Sequence, residues 1–371
     1  MNFLGQGCEA RESTSALSAV ESPIVTLVQR CAFREALSHP RALVDELTTN
    51  EALYLAVAAQ HLGKIDLASS FARAWSQCGE HISRGPLVSI VIPTHNRPAS
   101  LARAIQSVCQ QHYRPLEIVV VNDAGDCVQE VVRAEQERYT DEVSIKLVNS
   151  PRNVYLAAAR NLGLAEASGK WVGYLDDDDE LYPYHVGHLV YWLTLTKNRS
   201  VHSVPLMHRG HEHQSNTHSL LPYSTRGFSL KYLLEENVIP VNAVLHERSL
   251  LDEIGLFDSE LRANEDWDLW IRMAAVCDVY TSVLPTCYVR ALTTNRRMSE
   301  GSGANFAVSH AAIFERYREL TLKQGGTDLI AVQRFYVEHL RDKSYRYIQL
   351  ERRAAIIVLG ATKESREQSC L

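Results

Sequence analysis

Four short apolar runs fix the architecture: LVSIVIP (87–93), LEIVVVN (116–122), VSIKLVN (143–149) and KWVGYL (170–175). They are strand-length and mostly apolar, the first three rich in β-branched residues, as buried strands of a parallel sheet are. Helical patterns lie between them. RPASLARAIQSVCQQHY opens with Pro98 near a first turn and carries a stripe at Leu101, Ile105 and Val108. NVYLAAARNLGLAEASG reads as a helix closed by Gly169. Strands roughly 30 residues apart with helices between predict a largely parallel sheet with right-handed crossovers.

The residues just past each strand matter as much. The first run ends in THNR, the second in NDAGD, the third in NSPRN and the fourth in DDDDE. In a parallel sheet these ends share one edge, the edge where open α/β folds bind ligands. The sequence therefore gathers acidic and amide groups on one rim. The four consecutive aspartates, Asp176 to Asp179, admit a bland reading too, as a solvated turn before a helix starting near Tyr182.

The glycine signatures of phosphate loops are missing: no GxGxxG comes after the first strand, and GxxxxGK[ST] occurs nowhere. Carboxylates repel a diphosphate unless a cation lies between. Mn²⁺ or Mg²⁺ accepts one or two carboxylates, keeps water and takes phosphate oxygens from a substrate. The acidic run thus suggests a metal–diphosphate site. Asp123, at the neighbouring strand end, is placed to accept a hydrogen bond from a base N–H or a ribose hydroxyl.

Residues 87–292 resemble the inverting glycosyltransferase family 2. The matching stretches are VSIVIPTHNRPASLARAIQSVCQQHYRPLEIVVVNDAGD, NVYLAAARNLGLAEASGKWVGYLDDDDELYP and NAVLHERSLLDEIGLFDSELRANEDWDLWIRMA. The resemblance implies an α/β GT-A fold, Rossmann-like, with a mostly parallel central sheet flanked by helices. It identifies Asp176-Asp177-Asp178 as the family's aspartate–any–aspartate (DXD) element. Asp176 would lie near ribose and metal, Asp177 beside the donor, and Asp178 would be the direct metal ligand. Asp179 matches the acidic residue that often comes next. Pro93, Thr94, Asn96 and Asp123 match positions lining the nucleotide, and Arg160 a basic position near it.

RANEDWDLWIRMAA (262–275) carries the other half of the chemistry. Asn264 suits an N-cap, acids favour a first helical turn, and Trp267, Trp270 and Ile271 fit a core-facing stripe. Transfer to a hydroxyl also requires a group to take its proton. By the resemblance Asp266 is that catalytic base, with Glu265 beside it. Tyr288 and Arg290 in CYVRALTTNRRM correspond to a family Tyr-Arg-any-His element whose histidine is absent here; Arg290, Arg296 and Arg297 are candidates for diphosphate contact. The Gln-any-any-Arg-Trp element of processive synthases is absent, so transfer of one or a few sugars is expected.

The remainder of the 371 residues divides by pattern: a polar, disordered start (1–22), a helical extension (23–84) with one faint tetratricopeptide-like hairpin, the transferase domain (85–300) and a helical C-terminal segment (301–371). A net charge of −6 offers no electrostatic reason to bind nucleic acid. Eight scattered cysteines without a CxxC pair, no long apolar run and no secretion-like start suit a cytoplasmic enzyme, with peripheral attachment to the inner membrane face allowed. The histidine-rich stretch 202–218 reads as a loop over the acceptor side rather than a metal site.

The expected function is metal-dependent, inverting transfer from a nucleotide sugar, uridine-linked, to a glycan, lipid-linked or protein acceptor, in glycan or surface polysaccharide synthesis. It is a hexosyltransferase-class activity. The rivals are a sugar-nucleotide nucleotidyltransferase, which would want a glycine- and lysine-bearing loop where PTHNRPAS stands, and an inactive binding protein.

Overall fold

The computed structural model describes residue 55 and residues 82–139, 142–209, 219–222, 228–237, 239–291 and 303–340. The polar start, nearly all of the helical extension, residues 210–218 of the histidine-rich stretch, Arg296, Arg297 and the chain beyond 340 lie outside the described residues.

The first three apolar runs become β1 (Arg84–Thr94), β2 (Arg114–Asn122) and β3 (Val143–Asn149), and the fourth becomes β4 (Trp171–Tyr174). Order in the sheet is β3-β2-β1-β4, all parallel. Register puts the expected rim together: Thr94 is level with Asn122, Asn122 with Asn149, and Val91 with Tyr174, two residues before Asp176. Beyond β4 the sheet turns mixed. β8 (Val244–Glu247) runs antiparallel to β4, and β6 (Ser200–Arg209) antiparallel to β8. β9 (Val279–Ala291) pairs parallel with β6 and antiparallel with the short β5 (Glu180–Leu181); β7 (Ser219–Pro222) hangs on β6.

Strand periodicity then divides the core into two. Ile90, Ile92, Ile118 and Val120 point to one side. There they meet α1 (Pro98–Cys109), α2 (Gln129–Arg138) and α4 (His185–Thr196) through Leu101, Ile105, Val132 and Leu189. Val91, Val119 and Val121 point to the other, toward α3 (Tyr155–Glu166) and α7 (Glu265–Val276). Short α5 (Leu230–Leu233) and α6 (Leu250–Ile254) fill that side. So do α8 (Gly303–Arg316) and α9 (Arg318–Leu340), through Ile313, Phe314 and Leu329. Among the described residues no helix is long and apolar enough to cross a membrane.

One local expectation changes and another holds. α3 ends at Glu166, before Gly169. Gly169 is required for a different reason: a Cβ there would meet Ser89 N and Oγ at 2.6 Å, so it lets the backbone pass close to β1. Trp267 and Trp270 are core residues as expected, their indole N–H groups donating to the carbonyls of Leu233 and Ile239 at 2.6 and 3.1 Å.

Candidate active site

A cavity of about 470 Å³ opens at the carboxyl ends of β1, β2 and β4. Its walls include Pro93, Thr94, Asp123, Arg160, the four aspartates and, from α7, Glu265 and Asp266.

The aspartate run is not a freely solvated turn. Asp177 and Asp179 are buried, while Asp176 and Asp178 keep 35% and 27% of their side chains exposed. The run forms a turn, closed by Asp179 N–H donating to the Asp176 carbonyl at 3.1 Å. Asp177 accepts from Thr94 Oγ1 at 2.7 Å and from Arg97 Nη1 at 2.8 Å. Burial pushes its pKa up to about 6, against the pull of Arg97 and the Thr94 hydrogen bond. Asp179 accepts from Asn242 at 3.2 Å. Asp178 pairs with Arg97 at 3.0 Å. The two inward carboxylates shape the turn, and the two outward ones face the cavity.

Arg160 is the buried hub. It reaches from α3 to Asp176 at 2.6 Å and also pairs with Glu265. Burial opposes its charge; the Asp176 and Glu265 carboxylates outweigh that, and its pKa is raised. Its Nε finds no hydrogen-bond partner among the described residues, and its guanidinium stands 5.4 Å from the Phe257 ring centroid. One side chain thus ties the end of β4 to the start of α7.

Asp123 lines the cavity, but its carboxylate already has backbone partners. It accepts from Val154 N–H at 2.7 Å and Tyr155 N–H at 2.9 Å, capping the start of α3. Asn96 is not among the residues lining the cavity. Its backbone is left-handed (φ 57°) and its Oδ1 accepts from Asp126 N–H at 2.8 Å, so it braces the β1 loop against the β2 loop. Arg290 lies on β9, and its side chain is outside the described residues.

At the start of α7, Asn264 stands at the expected cap position but does not cap. Its backbone is left-handed (φ 59°) and its amide lies 2.8 Å from Nδ1 of His310 on α8. Asp266 Oδ1 instead accepts from Trp267 N–H at 2.7 Å, and from Asn237 Nδ2 at 3.0 Å. Burial, then the neighbouring Glu265 charge, raises the Asp266 pKa against the pull of Arg160. A carboxylate so placed is a stronger base than an exposed aspartate.

Sequence reasoning missed Arg97, in the β1 rim loop itself, and Asn237, Asn242 and Phe306, brought to the site by long-range packing. Arg97 had a local signal, as a cation three residues past the start of a rim loop. The others had none.

Comparisons with known proteins give the family and the fold. The family model for Glycosyl transferase family 2 matches residues 89–254. The uncharacterized glycosyltransferase YwdF of Bacillus subtilis (strain 168) is 30% identical over 195 residues, 50% of this chain and 68% of that protein. The chain belongs to glycosyltransferase family 2. This glycosyltransferase is also 29% identical over 201 residues to WcaA of Escherichia coli (strain K12), a glycosyl transferase assigned to colanic acid biosynthesis. That match covers 52% of this chain and 67% of WcaA. Residues 1–349 of Staphylococcus aureus TarS, crystallised with UDP-GlcNAc, superpose with a TM-score of 0.53 at 16% identity, covering 71% of this chain and 75% of that one. The shared fold is GT-A, as the family 2 resemblance implied.

Proposed function

We propose that this glycosyltransferase moves a sugar from a uridine-linked nucleotide donor to a hydroxyl acceptor, with inversion, one or a few residues at a time. The observation that carries this reading is the arrangement around the cavity. Two part-exposed carboxylates, Asp176 and Asp178, come from the end of β4, and a third, Asp266, comes from α7 across Arg160.

Pro93, Thr94, Asp123 and Asn153 line the nucleotide end of the cavity in this reading. Asp123 contributes by fixing the α3 start as well as by facing the ligand. Arg160 orients Asp176 and balances the charge of Glu265. The two part-exposed carboxylates, Asp176 and Asp178, fit Mn²⁺ or Mg²⁺, which takes one or two carboxylates and fills its other positions with phosphate oxygens and water. Among the described residues no group of three acidic, imidazole or thiol side chains is placed to hold a metal ion. Asp178 and Asp176 would hold the cation, once Arg97 releases Asp178. Bound there, it would neutralise the departing diphosphate. Asp266, on another element, accepts the acceptor's proton as its oxygen attacks the anomeric carbon from the side opposite the leaving group.

The acceptor is a glycan, lipid-linked or protein hydroxyl; WcaA's assignment favours surface polysaccharide. The helices at 303–340 belong to the transferase unit in this reading, since Phe306 lines the cavity and Arg316 pairs with Asp268 of α7 at 2.7 Å. The test is a panel of nucleotide sugars with Mn²⁺. Slow release of nucleoside diphosphate into water, accelerated by acceptor, is expected; formation of pyrophosphate or no turnover with any donor contradicts the reading.

A further inference from the structure

Tyr155 is the first residue of α3 and sits at φ 68°. A bulky side chain rarely accepts the left-handed region, and such strain concentrates at ligand sites. Glycine would be free of it. The ring is nonetheless there, 52% exposed, in the wall of the cavity beside Asp123 and Asn153. The Arg262 guanidinium stands 3.9 Å from its centroid, from the loop that leads into Asp266. That distance fits stacking of the cation on a ring face. The Tyr155 N–H is fixed by Asp123 at 2.9 Å, so the position of the ring is tied to the nucleotide end of the cavity.

We propose that Tyr155, backed by Arg262, is the stacking wall for the nucleobase of the donor. This rests on the donor reading above and adds a specific residue to it. An exposed aromatic face gains by covering the flat face of a base, and such stacking tolerates any base because each has a π-face. Arg262 serves the wall by holding the ring upright, and it links the donor end to the loop carrying Asp266. The strain at Tyr155 is then retained for the side chain's contact, since no requirement of the fold calls for a tyrosine there.

Three variants separate ring from backbone: Tyr155→Phe, Tyr155→Ala and Tyr155→Gly. The probes are UDP and inorganic pyrophosphate, each titrated calorimetrically with Mn²⁺, together with thermal melting. UDP affinity is expected to fall on the order of tenfold in both Ala and Gly and to stay near wild type in Phe. Pyrophosphate affinity should not change in any variant. Melting temperature should follow the backbone instead, with Gly above Ala. The proposal is overturned by unchanged UDP affinity in Ala and Gly, or by equal losses for UDP and pyrophosphate. Wild-type protein that binds neither probe would refute the donor reading itself, and the wall with it.

Discussion

Arg160 Nη2 lies 2.6 Å from Asp176 Oδ1, and the same guanidinium pairs with Glu265. A cation that is 1% exposed therefore joins the acidic turn after β4 to the start of α7. Removing it would leave a buried carboxylate uncompensated.

Arg160→Met keeps much of the apolar stem and deletes the charge. Breaking a buried pair on one side typically costs about 3–5 kcal/mol. Urea unfolding is expected to show a loss of that order, together with loss of donor binding. Stability within about 0.5 kcal/mol of wild type would show that Arg160 is not the tie described.

Gly163→Ala should destabilise. In most helices the change helps by about 0.5–1 kcal/mol. Here the new methyl would collide with Val91 Cγ1 and lie 3.1 Å from Val121 Cγ2, where α3 packs on the sheet. Overpacking of this kind costs about 1–3 kcal/mol. A gain in melting temperature would contradict the close approach of α3 to β1.

The sheet and its rim were legible because β1, β2 and β4 carry runs of buried residues, while the edge strand β3, only part-buried, follows from its place in the alternation of strands and helices. Asp176, Asp178 and Asp266 were singled out through a family resemblance, and the structure brings all three to one cavity. The rest was not. Asn96 turns from the cavity because its backbone is left-handed, which no composition signal announces. Asp123 is drawn to two backbone N–H groups whose position depends on where α3 starts. Arg97 pairs with Asp177 and Asp178 some 80 residues away, and Asn264 pairs with His310 at a separation of 46. Such partners are set by the packing of the whole domain.

Acid should unfold the protein early. Burial pushes the pKa values of His185 and His202 down to about 3 and that of His246 to about 4, from an ordinary 6.5. Above pH 6.5 both folded and unfolded chains hold them neutral, and stability is complete. Below 6.5 the unfolded chain binds protons that the folded chain refuses. Stability is therefore lost as pH falls from 6.5 toward 3, by at most about 1.4 kcal/mol per pH unit for each histidine. Asp177 and Asp266, whose folded pKa values are raised, oppose this, because there the folded chain binds the extra protons. The deciding comparison is therefore between wild type and His202→Leu, whose urea midpoint should fall less than that of wild type from pH 6.5 to 5; equal falls would contradict a buried neutral His202.

Catalysis as proposed depends on a division of labour between the acidic turn and α7. Donor affinity and turnover with Mn²⁺, both measured in Asp178→Asn and Asp266→Asn, separate the two roles. Asp178→Asn should weaken metal and donor binding together. Asp266→Asn should bind donor almost normally while turnover falls by a factor on the order of 10² to 10⁴. Because burial and Glu265 raise the Asp266 pKa, wild-type turnover should also fall with acid well above the ordinary aspartate range, and Asp266→Asn should lack that limb. Equal loss of donor affinity in the two variants, or a turnover in Asp266→Asn close to wild type, would contradict that division.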